Sequence, residues 1–335
     1  MTAPNQTERD AWNGESGQRW TTDADGRDRV MTAVADTLLD AAQLHRGERV
    51  LDIGCGCGAT TLAAARAVGP AGGVLGVDVS DPMLSVARQR VADAALDNIT
   101  LLQADAQNHP FVDGHGFDIV LSRFGTMFFD DPTVAFANIA GALRPCGRIC
   151  IATWQPLIAN QWLTVPGGAL LRYGSLPESG GPGPGMFAQS DPDTIDAFLT
   201  GAGFVDIVVH PVAVPLHLGI DVDGATSHLA ATGIGRAVLA TIPENQHPAA
   251  LEAVRESLAD HLDDDGVHLD GAILLTTATV AERRASSALP RPGPRGAASA
   301  MARFRSCKPR RAPVSDLTRD SLRARRDSNP QPSDP

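Results

Sequence analysis

Short apolar runs alternate, through the first half of the chain, with stretches in which apolar residues recur every three or four positions. Val50-Leu51-Asp52-Ile53, Val74-Leu75-Gly76-Val77-Asp78, Ile99-Thr100-Leu101-Leu102-Gln103, Phe117-Asp118-Ile119-Val120-Leu121 and Arg148-Ile149-Cys150-Ile151-Ala152-Thr153 read as five strands. Between them, residues 60–68, 82–91 and 132–143 read as helices. Asp81-Pro82 opens the second of these, with Asp81 as the cap and Pro82 at the first helical position. Val30, Val34, Leu38 and Leu39 predict one more helix over 27–44, ahead of the first strand. Arg144 to Gly147 reads as a turn. Strands that alternate with helices imply right-handed crossovers and a parallel sheet covered on both faces.

The alternation breaks at 155–190, where Gly174 to Gly185 is too rich in glycine and proline for regular structure and reads as a loop beside the site. A helix at 193–201 and a strand at 204–210 resume it. Residues 223–264 read as two or three helices, with Leu251, Val254, Leu258 and Leu262 as the clearest stripe, and 272–280 is a last strand. The polar residues 1–27 carry Trp12 and Trp20, either docked on the body or forming a flap over a ligand. From Glu282 onward no apolar period survives, and such a segment cannot bury enough surface to offset its ordering entropy. The expected division is an arm or flap (1–27), an α/β domain (28–281) with a lid loop (155–190) and a cap insertion (211–270), and a disordered basic tail (282–335).

Composition narrows the function. Residues 282–335 hold 13 Lys and Arg against 5 Asp and Glu, whereas the preceding 281 hold 15 against 34. An acidic body repels phosphates, and 4% aromatic residues leave little for base stacking, so nucleic acid is not the expected partner. A nucleic-acid-binding tail is the rival reading of the C-terminal segment. No apolar run approaches the ~20 residues of a membrane span, the N-terminus lacks a signal-peptide pattern, and five cysteines are too few for a disulfide framework. A cytoplasmic protein with no membrane partner is expected.

The candidate chemistry starts at Asp52-Ile53-Gly54-Cys55-Gly56-Cys57-Gly58, a strand end followed by glycine at every second position and then a helix. Such a turn lets a ligand approach the backbone, and the helix start offers free N–H groups. Asp78 ends the second strand on the same sheet edge, where a carboxylate can accept both hydroxyls of a ribose. Asp105-Ala106, after the third strand, can read the donor and acceptor edge of an adenine, and Met83 can pack under the base. Gly54-x-Gly56-x-x-Ala59 would also satisfy a dinucleotide fingerprint, which keeps an NAD(P)-binding oxidoreductase as an alternative. Against it, Asp52 is suited to a cationic amino group, and the lone lysine (Lys308) and lone tyrosine (Tyr173) cannot form a Tyr-x-x-x-Lys pair. Cys55 and Cys57 have no Cys or His partners at ligand spacing, so no metal is expected.

Together, Val50–Thr61, Gly76–Ser80, Asp105-Ala106, Phe117–Gly125 and Leu143–Thr153 resemble the ordered motifs of class I S-adenosylmethionine-dependent methyltransferases of the ubiquinone/menaquinone-biosynthesis type. The resemblance covers residues 28–154 in detail and the body to about 281 in outline. It implies a Rossmann-like, seven-stranded, mostly parallel sheet of order 3-2-1-4-5-7-6, with the seventh strand antiparallel. It implies that Gly54, Gly56 and Gly58 line the methionine moiety of S-adenosylmethionine, with Asp52 and Cys57 also among the cofactor-binding candidates. It likewise assigns Asp78 to the ribose and Asp105 with Ala106 to the adenine, and sets Arg123 beside the methyl group; Val79 and Met83 are further cofactor-binding candidates. The implied activity is methyl transfer to a small-molecule acceptor by in-line displacement; a non-catalytic sensor of the same cofactor is the reading from another class. His109, His115, His210 and His217 are general-base candidates by residue type alone, and no catalytic residue is assigned.

Overall fold

The computed structural model describes residues 5–111, 115–176 and 183–281. Three short helices, α1 (Gln6–Asn13), α2 (Glu15–Thr22) and α3 (Ala24–Val30), lead into α4 (Thr32–Ala42). The alternating core follows: β1 (Arg49–Ile53), α5 (Ala59–Val68), β2 (Gly73–Asp78), α6 (Asp81–Asp93), β3 (Ile99–Gln103), β4 (Phe117–Arg123), α7 (Pro132–Ala142) and β5 (Leu143–Trp154). The second half holds α8 (Gln161–Leu170), α9 (Pro192–Gly201), β6 (Phe204–Gly219), α10 (Val222–Ala231), α11 (Gly233–Leu239), α12 (His247–Ala259), β7 (Leu262–Asp263) and β8 (Gly266–Val280).

The strands form one sheet in the order β3-β2-β1-β4-β5-β8-β6, with β7 pairing β8 off that path. β1 to β5 run parallel, and β8 runs antiparallel to both β5 and β6. This is the expected order once the two-residue β7 is counted. Side chains alternate between the sheet's two faces. Val50, Ile119 and Leu121 join α4, α5, α8 and α12 in one core, while Leu51, Ile53 and Val120 join α7 and α9 in the other. Both faces are therefore apolar, as a parallel sheet between helix layers requires. The chain runs outward from β1 to β3 and returns to β4, so the strand order reverses beside β1, where open α/β sheets bind ligands.

Several boundaries differ from the sequence reading. The helix expected over 27–44 is broken at Met31 into α3 and α4. Ser80, not Asp81, caps α6: its Oγ accepts the Met83 N–H. β4 continues to Arg123, and β5 begins at Leu143, absorbing the expected turn with Cys146 at positive φ. α8 forms within the expected lid loop despite Pro166 in its interior, and 177–182 of that loop lie outside the described residues. β6 and β8 are far longer than expected, so the cap helices fall within 222–259 instead of filling 211–270. Pro211 and Pro215 are tolerated in β6 because it is the sheet's edge, where a missing N–H breaks no second ladder. Leu262, expected on the helical stripe, lies in β7 and is exposed. The segment 282–335, with its expected disorder, lies outside the described residues.

Candidate active site

The turn from β1 into α5 is held by β2. The N–H groups of Gly54 and Cys55 both donate to the Val77 carbonyl, at 2.8 and 3.1 Å. Gly54 has φ 66°, and a Cβ there would sit 2.6 Å from the Gly125 Cα, so only glycine lets the turn approach the end of β4. The Asp78 carboxylate accepts the Gly56 N–H at 2.8 Å on one oxygen and the Ser80 N–H at 2.9 Å on the other. It thereby joins the turn to the start of α6. Burial pushes its pKa up, and the N–H groups of Ser80, Gly56 and Val79 oppose that rise.

Asp52 lies behind the turn. Its carboxylate is buried and accepts the Thr61 hydroxyl at 2.6 Å, pinning the first turn of α5. Burial pushes its pKa to about 7; the Thr61 bond and the Arg123 charge oppose the rise, and Asp78 adds to it. Arg123, at the end of β4, donates to Asp28 at 2.9 Å. The other Asp28 oxygen accepts from Arg90 at 2.8 Å, and Arg90 also reaches the Cys57 carbonyl at 2.9 Å. The Asp105 carboxylate accepts the Gln107 N–H at 2.9 Å and the Asn5 amide at 3.2 Å.

One cavity opens at this edge of the sheet. Ile53, Gly54, Val77, Asp78 and Val79 line it from β1 and β2, Ala104, Asp105 and Ala106 from the end of β3, and Met83 from α6. Arg123, Phe124, Gly125, Phe128 and Phe129 line it beyond β4, and Asn5, Glu8, Trp12 and Trp20 close it from the N-terminal arm. Of the predicted residues, Gly54, Asp78, Val79, Met83, Asp105, Ala106 and Arg123 meet there. Asp52, Gly56, Cys57 and Gly58 do not line it. Asp52 is turned toward Thr61, Gly56 and Gly58 face Met83 and Ala87, and the Cys57 side chain is buried. None of His109, His115, His210 and His217 lines the cavity.

Sequence reasoning missed Asn5 and Glu8, which belong to a segment too polar to show a buried face. Glu8 accepts the Trp12 indole N–H at 3.1 Å, and burial raises its pKa against that bond. The arm is tied down by Ser80, whose hydroxyl donates to the Trp12 carbonyl at 2.7 Å, and by Asn13, whose amide donates to the Val79 carbonyl at 2.9 Å. Trp12 meets Trp20 and Phe128 edge-on, with centroids 5.9 and 5.2 Å apart. Phe124 takes φ 66°, a strained conformation for a non-glycine residue, and stacks on Trp154 at 4.2 Å. Trp154 in turn meets Trp162 at 5.4 Å.

A family described as a methyltransferase domain matches residues 50–147. The ubiquinone/menaquinone biosynthesis C-methyltransferase UbiE of Ectopseudomonas mendocina (strain ymp) is 32% identical over 195 residues, covering 54% of this chain and 76% of the relative. The demethylmenaquinone methyltransferase of Staphylococcus carnosus (strain TM300) is 36% identical over 122 residues, 36% of this chain and 49% of its own. A solved complex of the Haloferax volcanii Trm112 methyltransferase activator with a methyltransferase shares the fold, with a TM-score of 0.50 at 19% identity over 81% of this chain and 96% of that one. Among the described residues no helix is long and apolar enough to cross a membrane. The chain belongs to the class I S-adenosylmethionine-dependent methyltransferases of the UbiE type, enzymes that methylate small-molecule acceptors.

Proposed function

We propose that the cavity at the ends of β1 to β4 holds S-adenosylmethionine and that the acceptor is a planar aromatic ring, of the general kind for which the curated relatives are named. The observation that carries the cofactor assignment is the meeting of Gly54, Asp78, Asp105 and Ala106 in one cavity. The residues present fit that group. Asp78 spends its internal hydrogen bonds on backbone N–H groups and lines the cavity, and the remaining lone pairs of its carboxylate would take the ribose hydroxyls. Asp105 and Ala106 would read the adenine edge above the buried Met83, and Gly54 would border the methionine portion. Arg123, fixed by Asp28, would stand beside the methyl group.

When bound, S-adenosylmethionine supplies an activated methyl group and a neutral leaving group. The remaining task is alignment and exclusion of water. Trp12 and Trp20 wall the cavity from the arm, which supports reading residues 1–27 as a flap. The succession Phe124, Trp154 and Trp162 runs from that cavity to an apolar one in the cap, lined by Leu163, Leu170, Leu229, Val238 and Val254. That succession supports a flat, apolar acceptor. The acidic body supports a small molecule over nucleic acid. The test is transfer of labelled methyl to a panel of hydroquinones and of aliphatic amines. Label on the ring compounds is the expected result; label on amines alone would refute the acceptor assignment.

A further inference from the structure

A side chain of the N-terminal arm holds one of the acids at the strand ends. Asn5, just ahead of α1, is buried, and its amide bridges two loops at the edge of the site. Its Nδ2 donates to Asp105 Oδ1, after β3, at 3.2 Å, and its Oδ1 accepts the Asp130 N–H, after β4, at 3.1 Å. The two bonds fix the direction of the amide, because turning it over would set its NH2 against an N–H and its oxygen against a carboxylate. Asn5 has φ 59°, a left-handed conformation that asparagine tolerates better than most residues. Asn5, Asp105 and Phe129, the residue before Asp130, all line the cavity.

The loop that carries Asp105 has other anchors. Gln107, also buried, accepts the Asp131 N–H at 2.9 Å, and the Asn138 amide donates to the carbonyls of Ala106 and His109 at 2.9 and 2.8 Å. What Asn5 governs is the carboxylate. Asp105 Oδ1 takes both the Asn5 amide and the Gln107 N–H, and its two lone pairs are then used. Oδ2 takes the Asn108 amide alone, at 3.3 Å, which leaves one acceptor position on that oxygen. An acceptor already fixed in direction binds a donor with little ordering cost and penalises an oxygen in the donor's place.

We propose that Asn5 is a positioning residue: by holding Asp105 Oδ1 it commits Oδ2 to the exocyclic amine of the adenine, and so makes the arm part of base recognition. This rests on the reading of the cavity as the S-adenosylmethionine site. The arm then does more than cover the cavity, because the discrimination between adenine and a base without the amine depends on one of its side chains.

The test is calorimetric titration of the full chain with S-adenosylhomocysteine and with S-inosylhomocysteine, in which a carbonyl oxygen replaces the amine. The full chain should bind the adenosyl compound about tenfold tighter or more, the difference made by one hydrogen bond to a charged group. Asn5→Gly removes the amide, suits the positive φ and costs α1 no side-chain cap. It should lose most of that ratio, through weaker binding of the adenosyl compound. Asn5→Asp, which keeps the acceptor for the Asp130 N–H and loses the donor to Asp105, should lose it as well. Asn13→Ala, which loosens the arm at Val79 and Asp81, should keep the ratio. No binding of S-adenosylhomocysteine by the full chain would overturn the cofactor site and the inference with it. Binding with a ratio that survives in Asn5→Gly or Asn5→Asp, or that falls equally in Asn13→Ala, would overturn the inference alone. Equal binding of the two compounds by the full chain would overturn it by removing Asp105 from the base. Tighter S-adenosylhomocysteine binding by Asn5→Gly would overturn it by showing that the Asn5 amide occupies the place of the amine.

Discussion

Individual side chains here act through what they hold as much as through what they face. Asp52 was readable as a functional acid at a strand end, but its orientation was not. The strand alternation puts it on a buried position, and Thr61, nine residues on, takes up its carboxylate. The consequence is a pH dependence. Its folded pKa of about 7 lies above the ordinary carboxylate value, so between the two the folded chain binds the extra proton. Its contribution to stability is present in full below about pH 4 and lost as pH rises through about 7. The loss amounts to up to about 4 kcal/mol. We expect Tm of the cofactor-free protein to fall from pH 5 to pH 8, and Asp52→Asn to reduce that fall. Parallel melting curves for the two proteins across this range would contradict the assignment. Gly54, Asp78 and Asp105 were legible because motif residues at strand ends have little freedom of position once the strands are known. Glu8 and Asn5 were not, because nothing in a short polar helix announces a tertiary partner.

Elements were legible where one pattern ruled and illegible where two competed. β1, α5, β2 and β3 follow the reading within a residue or so, since their apolar periods are undisturbed. α8 was hidden by Pro166, Gly167 and Gly168, each a poor helix former; burial of Trp162, Leu163 and Leu170 against the β5–β8 sheet face outweighs that propensity. The lengths of β6 and β8 were hidden because two prolines on the edge strand imitate a loop. The start of α6 was misread by one residue, and the error matters, because Ser80 has two tasks. Its hydroxyl oxygen accepts the Met83 N–H, and its proton goes to the Trp12 carbonyl. Ser80→Ala removes the cap and the tie to the arm together. Loss of a cap costs about 1 kcal/mol, and the second bond adds about as much. We expect a destabilisation of about 2 kcal/mol in urea unfolding, with exchange protection lost first in α1 and α2. An unchanged unfolding midpoint would show that the arm is held by its tryptophans instead.

At the scale of the whole molecule, alternation and handedness made a parallel sheet covered on both faces legible, and its strand order came from the resemblance to the methyltransferase motifs. The site followed from the order, since three acids or glycines at strand ends converge only if those strands are neighbours on one edge. The arm's closure over that edge was only one of two readings. The proposed cofactor site lies on that edge, with Asp78 as the ribose acceptor. Calorimetric titration of the full chain and of Asp78→Asn with S-adenosylhomocysteine tests it. Asn keeps an acceptor for only one of the two backbone N–H groups and sets its NH2 against the other, so Tm should fall, and the two affinities are compared at a temperature where both proteins are folded. Hydrogen bonds to a charged group are worth about 1.5–3 kcal/mol each, so the variant should bind at least tenfold more weakly. Equal affinity of the two proteins for S-adenosylhomocysteine would contradict the account.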